Sequence, residues 1–348
     1  MTYDYYEKRF RIKAYEAGYS EDDIQKCLIY AKPLLDKNLP VIYNTANLSA
    51  LVGYNKSYLK KSALFTNSFY RSFSVRKKNS NKLRYLKEPL PSLKEIQIWI
   101  LENILYLIPV SKFAKAYVPK RNILENVRFH KNKDKIVSLD IENFFPSIRR
   151  TYVENIFKAL GYSSNVSNLL SKLCCCDEIL PQGAPTSPYL SNLYLREFDD
   201  NIAGYCLQKK IRYTRYADDL TFSGTFDENE LINFVKNELI LIKLNLNKEK
   251  TKILKPDQRQ IVTGIVVNKI IQIPKDQRKQ IRQEIYYLKK YGLTDHLIKT
   301  KNFRSNYIGH LIGKINYALY VNPNDNEMKE YKEYLYASYI ESPRRSSL

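Results

Sequence analysis

Two carboxylates stand side by side, Asp218 and Asp219, inside RYTRYADDLTFSG (212–224), a β-rich run of an otherwise strongly basic chain. The 348 residues include 57 Lys and Arg against 36 Asp and Glu, a formal net charge of +21. Adjacent acids repel, and each raises the proton affinity of the other unless a cation or water relieves them. A polar hairpin turn is the ordinary setting for such a pair. A metal ion is the chemical one, because Mg²⁺ takes one or two carboxylates and fills its shell with water and substrate phosphates. A third acid, Asp140, ends the apolar run KIVSLDI (135–141). Three carboxylates meeting at strand ends could hold two divalent ions about 4 Å apart, the arrangement that activates a hydroxyl and stabilises a departing oxygen in phosphoryl transfer. Spacing alone does not bring Asp140 to the pair.

Elements must deliver these acids. KIVSLDI reads as a short buried strand ending on Asp140, and 212–224 as strand–turn–strand with the acids at the bend. The prolines of LPQGAPTSP (180–188) force an irregular loop. Ser187 is expected to cap the next helix, with Pro188 at its first position and Leu190, Leu193, Tyr194 and Phe198 on its buried stripe. QIVTGIVVN (260–268) is a further strand candidate. Upstream, residues 1–67 read as helices, with Ser20 capping a run that opens on Glu21, Asp22 and Asp23, and two short helices flanking Gly53. FYRSFSVRKKNSNKLRYLK (69–87) suggests a basic hairpin around KKNSNK. SLKEIQIWILENILYLI has helical periodicity and buries Ile96, Trp99, Ile100 and Ile104. The last third is helical: Pro274 opens a helix with Ile281, Ile285 and Leu288 on one face and Arg278, Arg282 and Lys289 on another. YIGHLIGKINYALYVNP repeats the apolar pattern at Ile308, Leu311, Ile312, Ile315 and Leu319.

Composition narrows the class. An apolar fraction of 44% suits a globular protein. No segment approaches the roughly 20 apolar residues of a membrane span, and MTYDYYEKRF lacks an apolar secretory core, so a soluble, cytoplasmic protein is expected. Cys27, Cys206 and the run Cys174-Cys175-Cys176 include no C-x-x-C pair, and adjacent cysteines cannot all converge on one metal. Reduced thiols in a helix or core segment are the better reading. His130, His296 and His310 are too scattered to form a metal cluster from spacing. The charge calls for a polyanionic partner, nucleic acid ahead of membrane. Thirty tyrosines offer stacking platforms for bases, although an AT-rich genome enriches Tyr and Lys without any function.

SLDIENFFPSI, LPQGAPTSPYLSNL, YADD, NLNKEKTKIL and VTGIVVN follow one another along the chain. With these five blocks, residues 69–320 resemble a reverse transcriptase from fingers to thumb. The resemblance implies an α+β right-hand polymerase whose antiparallel palm sheet carries the YADD hairpin. The corresponding divisions are a helical N-terminal extension (1–67), fingers (68–135), palm (136–268, with a fingers segment, 146–181, inserted), and a helical thumb with C-terminal tail (269–348). It implies that Asp140, Asp218 and Asp219 are catalytic acids binding two Mg²⁺ ions, replaceable by Mn²⁺, with the Ile141 carbonyl a further ligand. Phe145 matches the steric gate, whose ring would clash with a ribose 2′-OH; a core phenylalanine is the alternative. Gln182 and Gly183 match the loop that packs on the incoming nucleotide. Arg84 and Lys82 match cations that clamp a triphosphate, or else belong to a solvated hairpin. Tyr216 and Ala217 would shape the primer-end site. Arg278, Arg282 and Lys289 would hold the template–primer duplex by its phosphates, or form a solvated face.

The resemblance narrows to bacterial retron enzymes on two features. Val262-Thr263-Gly264 resembles a block that marks them, and NVRFH, Asn126 to His130, resembles their N-A-x-x-H element with Val127 in place of alanine. These residues join the RNA-binding candidates, although His130 could equally satisfy a loop. Little room is expected after the thumb-like helices for a ribonuclease H domain, and there is no Cys/His-rich endonuclease module. The retron reading implies a cognate structured non-coding RNA as template and primer, deoxynucleotide substrates, and synthesis from a 2′-OH to give branched RNA–DNA (msDNA). It further implies template removal by a host ribonuclease H, and anti-phage defence with a separate effector protein. Other bacterial defence or group II intron-like reverse transcriptases share the chemistry. A non-catalytic RNA-binding protein on a polymerase scaffold conflicts with the intact Asp140, Asp218, Asp219, Gln182 and Phe145 set, and an RNA-templated RNA polymerase conflicts with Phe145.

Overall fold

The computed structural model of the chain describes residues 2–76, 83–302 and 304–340. It opens with α1 (Tyr3–Glu16), α2 (Glu21–Asp36), α3 (Thr45–Val52) and α4 (Lys56–Leu64). The Ser20 side chain accepts the Asp23 N–H at the start of α2, and the acids beside it suit the positive end of the helix. Gly53 ends α3 in the left-handed conformation. β1 (Tyr70–Arg76) and β2 (Leu83–Pro89) pair antiparallel, while the KKNSNK connection, 77–82, lies outside the described residues. α5 (Pro91–Asn103) and the residue after it bury Ile96, Ile100 and Ile104; Trp99 is only half-buried. The short α6 (Ile123–Val127) leads to the sheet.

Four antiparallel strands form that sheet in the order β4-β5-β3-β6: β3 (Ile136–Asp140), β4 (Arg212–Tyr216), β5 (Asp219–Ser223) and β6 (Lys252–Leu254). Between β3 and β4 run α7 (Phe144–Ser147), α8 (Arg150–Leu160), α9 (Ser164–Cys174), α10 (Ser187–Tyr194) and α11 (Arg196–Gln208); α12 (Glu228–Leu241) follows β5. Side chains alternate across a strand. Val137, Leu139, Tyr213, Leu220 and Phe222 therefore share one face, buried in the main core with Phe157, Leu170, Leu190, Phe198 and Val235 of the helices. The opposite face receives Asp140, Thr214, Tyr216, Asp219, Thr221 and Ser223. The hydrophobic pattern thus spends one face on stability and leaves the other polar. Leu34, Leu48 and Leu59 belong to the same main core, so the N-terminal helices are built onto the sheet domain; Ala14, Ile24 and Leu28 make a small cluster of their own. Cys174, Cys175, Cys176 and Cys206 are buried free thiols, as core thiols should be.

Three local expectations need correction. Ser187 is the first residue of α10 and not its cap; Thr186 precedes the helix without a side-chain cap bond, and the buried Ser187 hydroxyl has no partner. Pro188 lacks an N–H to satisfy, so the helix starts without that cap. The expected stripe also breaks at Leu195, leaving Leu193 and Tyr194 partly exposed. QIVTGIVVN is not one strand but a tight hairpin, β7 (Ile261–Val262) and β8 (Ile265–Val266). Thr263 and Gly264 turn it with φ of 46° and 85°, the paired positive values a two-residue hairpin turn requires.

The chain ends in α13 (Lys275–Thr300), α14 (Tyr307–Val321) and α15 (Asn326–Tyr339). α13 kinks at Gly292, whose φ of 74° and ψ of 174° no helical residue adopts. Ile281, Ile285, Leu288, Leu311 and Ile315 form a second core with Val262 and Ile265 of the β7–β8 hairpin and Ile136 of the sheet. No helix among the described residues is long and apolar enough to cross a membrane.

Candidate active site

Register brings the acids together. Asp140 pairs with Asp219, and Asp219 with Tyr216, so these three stand in one row on the polar face of the sheet. Asp218 lies in the two-residue turn with Ala217, and its carbonyl accepts the Ile141 N–H at 3.0 Å. Ala217 is buried with φ of 59°. That is the first central position of a tight hairpin, where positive φ ordinarily selects glycine, so the alanine carries backbone strain. Asp140, Ile141 and Asp218 line a cleft of about 1260 Å³, together with Arg84, Phe145 and Gln182. Four segments far apart in sequence, around residues 84, 140–145, 182 and 218, thus converge on one cleft. Lys82 lies outside the described residues.

The electrostatics are those of crowded acids. Burial, reinforced by Asp218 and then Asp140, pushes the Asp219 carboxyl up to about 6. Asp218 is raised by burial and by Asp140, with Lys250 and Arg84 opposing. Lys250 Nζ donates to both Asp140 carboxylate oxygens, at 2.8 and 2.7 Å. Sequence reasoning missed this lysine, because nothing in NLNKEKTKIL separates it from its basic neighbours. Among the described residues no three acids, histidines or cysteines stand as a ready-made metal cage, and Asp140 is paired with Lys250. The donor set nevertheless fits a hard divalent ion: crowded carboxylate oxygens with excess negative charge, open to a cleft from which water and phosphates supply the remaining ligands.

The other walls are equally specific. Phe145, in α7, is half-buried, its ring 5.2 Å from Phe144 and 6.5 Å from Tyr117. Tyr117, also unforeseen, lines the cleft with φ of 60°, an outlier for a bulky residue. Burial and then the Asp218 charge raise its phenol. The Gln182 carbonyl accepts the Lys87 N–H of β2 at 3.0 Å. A Cβ on Gly183, at φ of 133°, would lie 2.8 Å from the Lys87 carbonyl oxygen; only glycine lets this loop lie against β2.

Several RNA-binding candidates prove to be interior. His130 is fully buried, its Nδ1 2.7 Å from Ser223 Oγ and its Nε2 2.8 Å from Thr214 Oγ1. It braces the polar sheet face, and burial holds its ring down at about 3. Asn126 and Val262 are buried as well, and Asn126 Nδ2 reaches Thr263 Oγ1 at 3.4 Å; Gly264 is exposed and Thr263 partly so. The two motifs therefore meet each other, and Asn126, His130 and Val262 offer no surface to RNA. Arg278, Arg282 and Lys289 do share a face of α13, but that face is turned onto α15. Arg278 pairs with Asp325 and Glu327 at 2.9 and 2.7 Å, Arg282 with Glu327 at 2.6 Å, and Lys289 sits 4.9 Å from the Tyr334 ring centre. Acids at the start of the last helix thus pair with Arg278 and Arg282, while Arg282 and Lys289 stay exposed to solvent.

Comparison with known proteins agrees with this geometry. Residues 75–310 match the family model of the reverse transcriptase (RNA-dependent DNA polymerase). The chain is 34% identical over 264 residues to the Retron Ec86 reverse transcriptase of Escherichia coli, covering 73% of this chain and 81% of that protein. It is 30% identical over 285 residues to the Retron Ec83 reverse transcriptase of Escherichia coli, covering 76% and 86%. It is also 30% identical over 261 residues to the Retron Mx162 reverse transcriptase of Myxococcus xanthus, covering 65% and 54%. A cleft walled by acids, an RNA-dependent DNA polymerase match across most of the sheet and cleft, and repeated likeness to retron enzymes converge on one conclusion: the chain belongs to the retron-type reverse transcriptases, which are RNA-directed DNA polymerases.

Proposed function

We propose that the cleft extends DNA on an RNA template, with the four-stranded sheet as palm (136–268, including a fingers insert at 146–181), residues 68–135 as fingers, 269–348 as thumb and 1–67 as a helical extension. The observation that carries this reading is the register that sets Asp140 beside Asp219, with Asp218 in the adjoining turn. Two Mg²⁺ ions held by Asp140, Asp218, Asp219 and the Ile141 carbonyl would neutralise the acids and polarise the attacking hydroxyl and departing phosphate oxygen. Arg84, exposed on β2 at the cleft, pairs with the triphosphate, and Lys82 is its neighbour in this role. Phe145 occupies the space a ribose 2′-OH would need. Gln182 and Gly183 form the surface under the nucleotide, fixed to β2 through Lys87. Tyr216 and Ala217 seat the primer end. Thr263 and Gly264, at a partly exposed hairpin tip, and the exposed Arg282 and Lys289 of α13 are the members of the RNA-binding set with surface to offer RNA.

Membership of the retron type supports the finer reading. A cognate structured RNA serves as template and primer, a 2′-OH of that RNA starts synthesis, and branched RNA–DNA results. Host ribonuclease H trims the template, and a separate effector completes an anti-phage system in the cytoplasm. The test has two arms. Asp218→Ala should reduce primer extension by orders of magnitude with RNA affinity retained; normal extension would remove the catalytic assignment. Nucleic acid co-purifying with the protein should include short DNA joined through a branch to structured RNA. Its absence, with extension intact, would move the protein to another bacterial reverse transcriptase class.

A further inference from the structure

Behind the acidic row lies an enclosed polar network on the helical side of the sheet. Arg215 of β4 and Asp199 of α11 are both fully buried. Arg215 Nε and Nη2 donate to the two Asp199 carboxylate oxygens at 2.8 and 2.7 Å. Its Nη1 donates to Asn192 Oδ1 of α10 at 2.8 Å and to the Ala217 carbonyl at 3.1 Å. Asn192 Nδ2 in turn donates to the Ala116 carbonyl at 2.9 Å. The Arg215 backbone is fixed too, donating to Phe113 O at 2.9 Å and accepting from Lys115 N at 2.7 Å. The carbonyls gripped by side chains belong to Ala217 and Ala116. Ala217 is itself left-handed, and Tyr117, next to Ala116, is another left-handed non-glycine position at the cleft, as is Asn143.

A buried ion pair is a poor source of stability, because apolar residues of equal volume often do as well. What a guanidinium fork supplies is direction, fixing several acceptors in one plane. Strained backbone persists only where its surroundings over-determine it. We propose that Arg215, held by Asp199 and Asn192, is a positioning residue. It clamps the Ala217 turn that presents Asp218 and Asp219 and, through Asn192, the Ala116–Tyr117 segment on the facing wall. The proposal rests on the polymerase reading above, and adds residues that touch neither substrate nor metal.

The test uses the full chain with Asn192→Ala, which leaves the ion pair intact, and the paired change Asp199→Leu with Arg215→Met, which leaves no orphaned charge. Three quantities are measured well below the melting temperature: amide hydrogen exchange at 216–219, Mn²⁺ binding by electron paramagnetic resonance, and kcat and KM for deoxynucleotide. Exchange at the turn should quicken about tenfold or more. Mn²⁺ affinity should weaken about tenfold, and kcat fall at least tenfold with KM within about twofold. A purely structural role lowers the melting temperature and leaves these quantities unmoved. Wild-type exchange and Mn²⁺ affinity in either folded variant overturn the clamp; if the paired variant does not fold, Asn192→Ala decides alone. A wild-type protein that binds Mn²⁺ with an ordered turn yet never polymerises would defeat the activity reading and leave the clamp standing.

Discussion

Replacing Asp219 by Asn should stabilise the metal-free protein while abolishing its activity. Burial and the neighbouring Asp218 and Asp140 raise this carboxyl from 3.8 to about 6, so at neutral pH the fold holds a charge its surroundings disfavour. At 1.36 kcal/mol per pH unit the penalty is about 3 kcal/mol, and the residue's partial contact with solvent brings it to on the order of 1–2 kcal/mol. The sign follows from proton binding. Between pH 4 and 6 the folded protein holds more protons at this site than the unfolded chain, so stability falls as pH rises through that window. The amide of the variant does not titrate. Its advantage should therefore be complete above pH 6 and vanish toward pH 4. Urea unfolding in chelator, at intervals from pH 4 to 8, reads the difference directly. Saturating Mg²⁺ should then stabilise wild type more than the variant, because a ligand of the folded state adds stability in proportion to its affinity. An Asp219→Asn protein no more stable than wild type at pH 7.5, or one whose advantage grows on acidification, would refute a disfavoured charge at this site.

Three further outcomes follow from the same structure. His130, held near 3 against an ordinary 6.5, keeps the folded ring neutral while the unfolded chain protonates, so about 2 kcal/mol of stability should disappear between pH 7 and pH 5; an imidazole resonance titrating near 6.5 in the native protein would contradict this. Gly183→Ala places a methyl 2.8 Å from the Lys87 carbonyl oxygen and should raise the deoxynucleotide KM about tenfold with RNA binding retained; an unchanged KM would detach that loop from the nucleotide. Phe145→Val should increase ribonucleotide incorporation by about 10- to 100-fold in competition assays, and unaltered sugar selectivity would return Phe145 to the core.

What the sequence made legible was local. Strand periodicity and the bend at Asp218 and Asp219 are properties of a dozen neighbouring residues, and the structure has the hairpin where alternation puts it. The meeting of Asp140 with that hairpin is a matter of register between strands nearly 80 residues apart, and only the order of five motifs suggested it. Partners chosen by tertiary packing left no local mark. Arg215 sits in a stretch that reads as any polar strand, yet it is fully buried because Asp199 and Asn192 come from helices on the far side of the sheet. Likewise nothing local in α13 announces that Arg278 and Arg282 pair with Asp325 and Glu327, more than 40 residues away.

His130 shows why composition misleads at such positions. A histidine among Arg, Lys and Asn reads as an RNA contact or a loop residue, but the sheet face above it carries Thr214 and Ser223 at a spacing that engages both ring nitrogens. The ring is fully buried, and that burial lowers its proton affinity. It holds one end of the polar face whose other end is the acidic row. That face is not closed with apolar residues throughout, and Asp140 at its edge opens on the cleft. Polar side chains that satisfy one another beneath it keep the sheet rigid without covering the acids. The face that contributes least hydrophobic burial is thus the one available for chemistry, and its neutral brace and charged row are two consequences of the same alternation along β4 and β5.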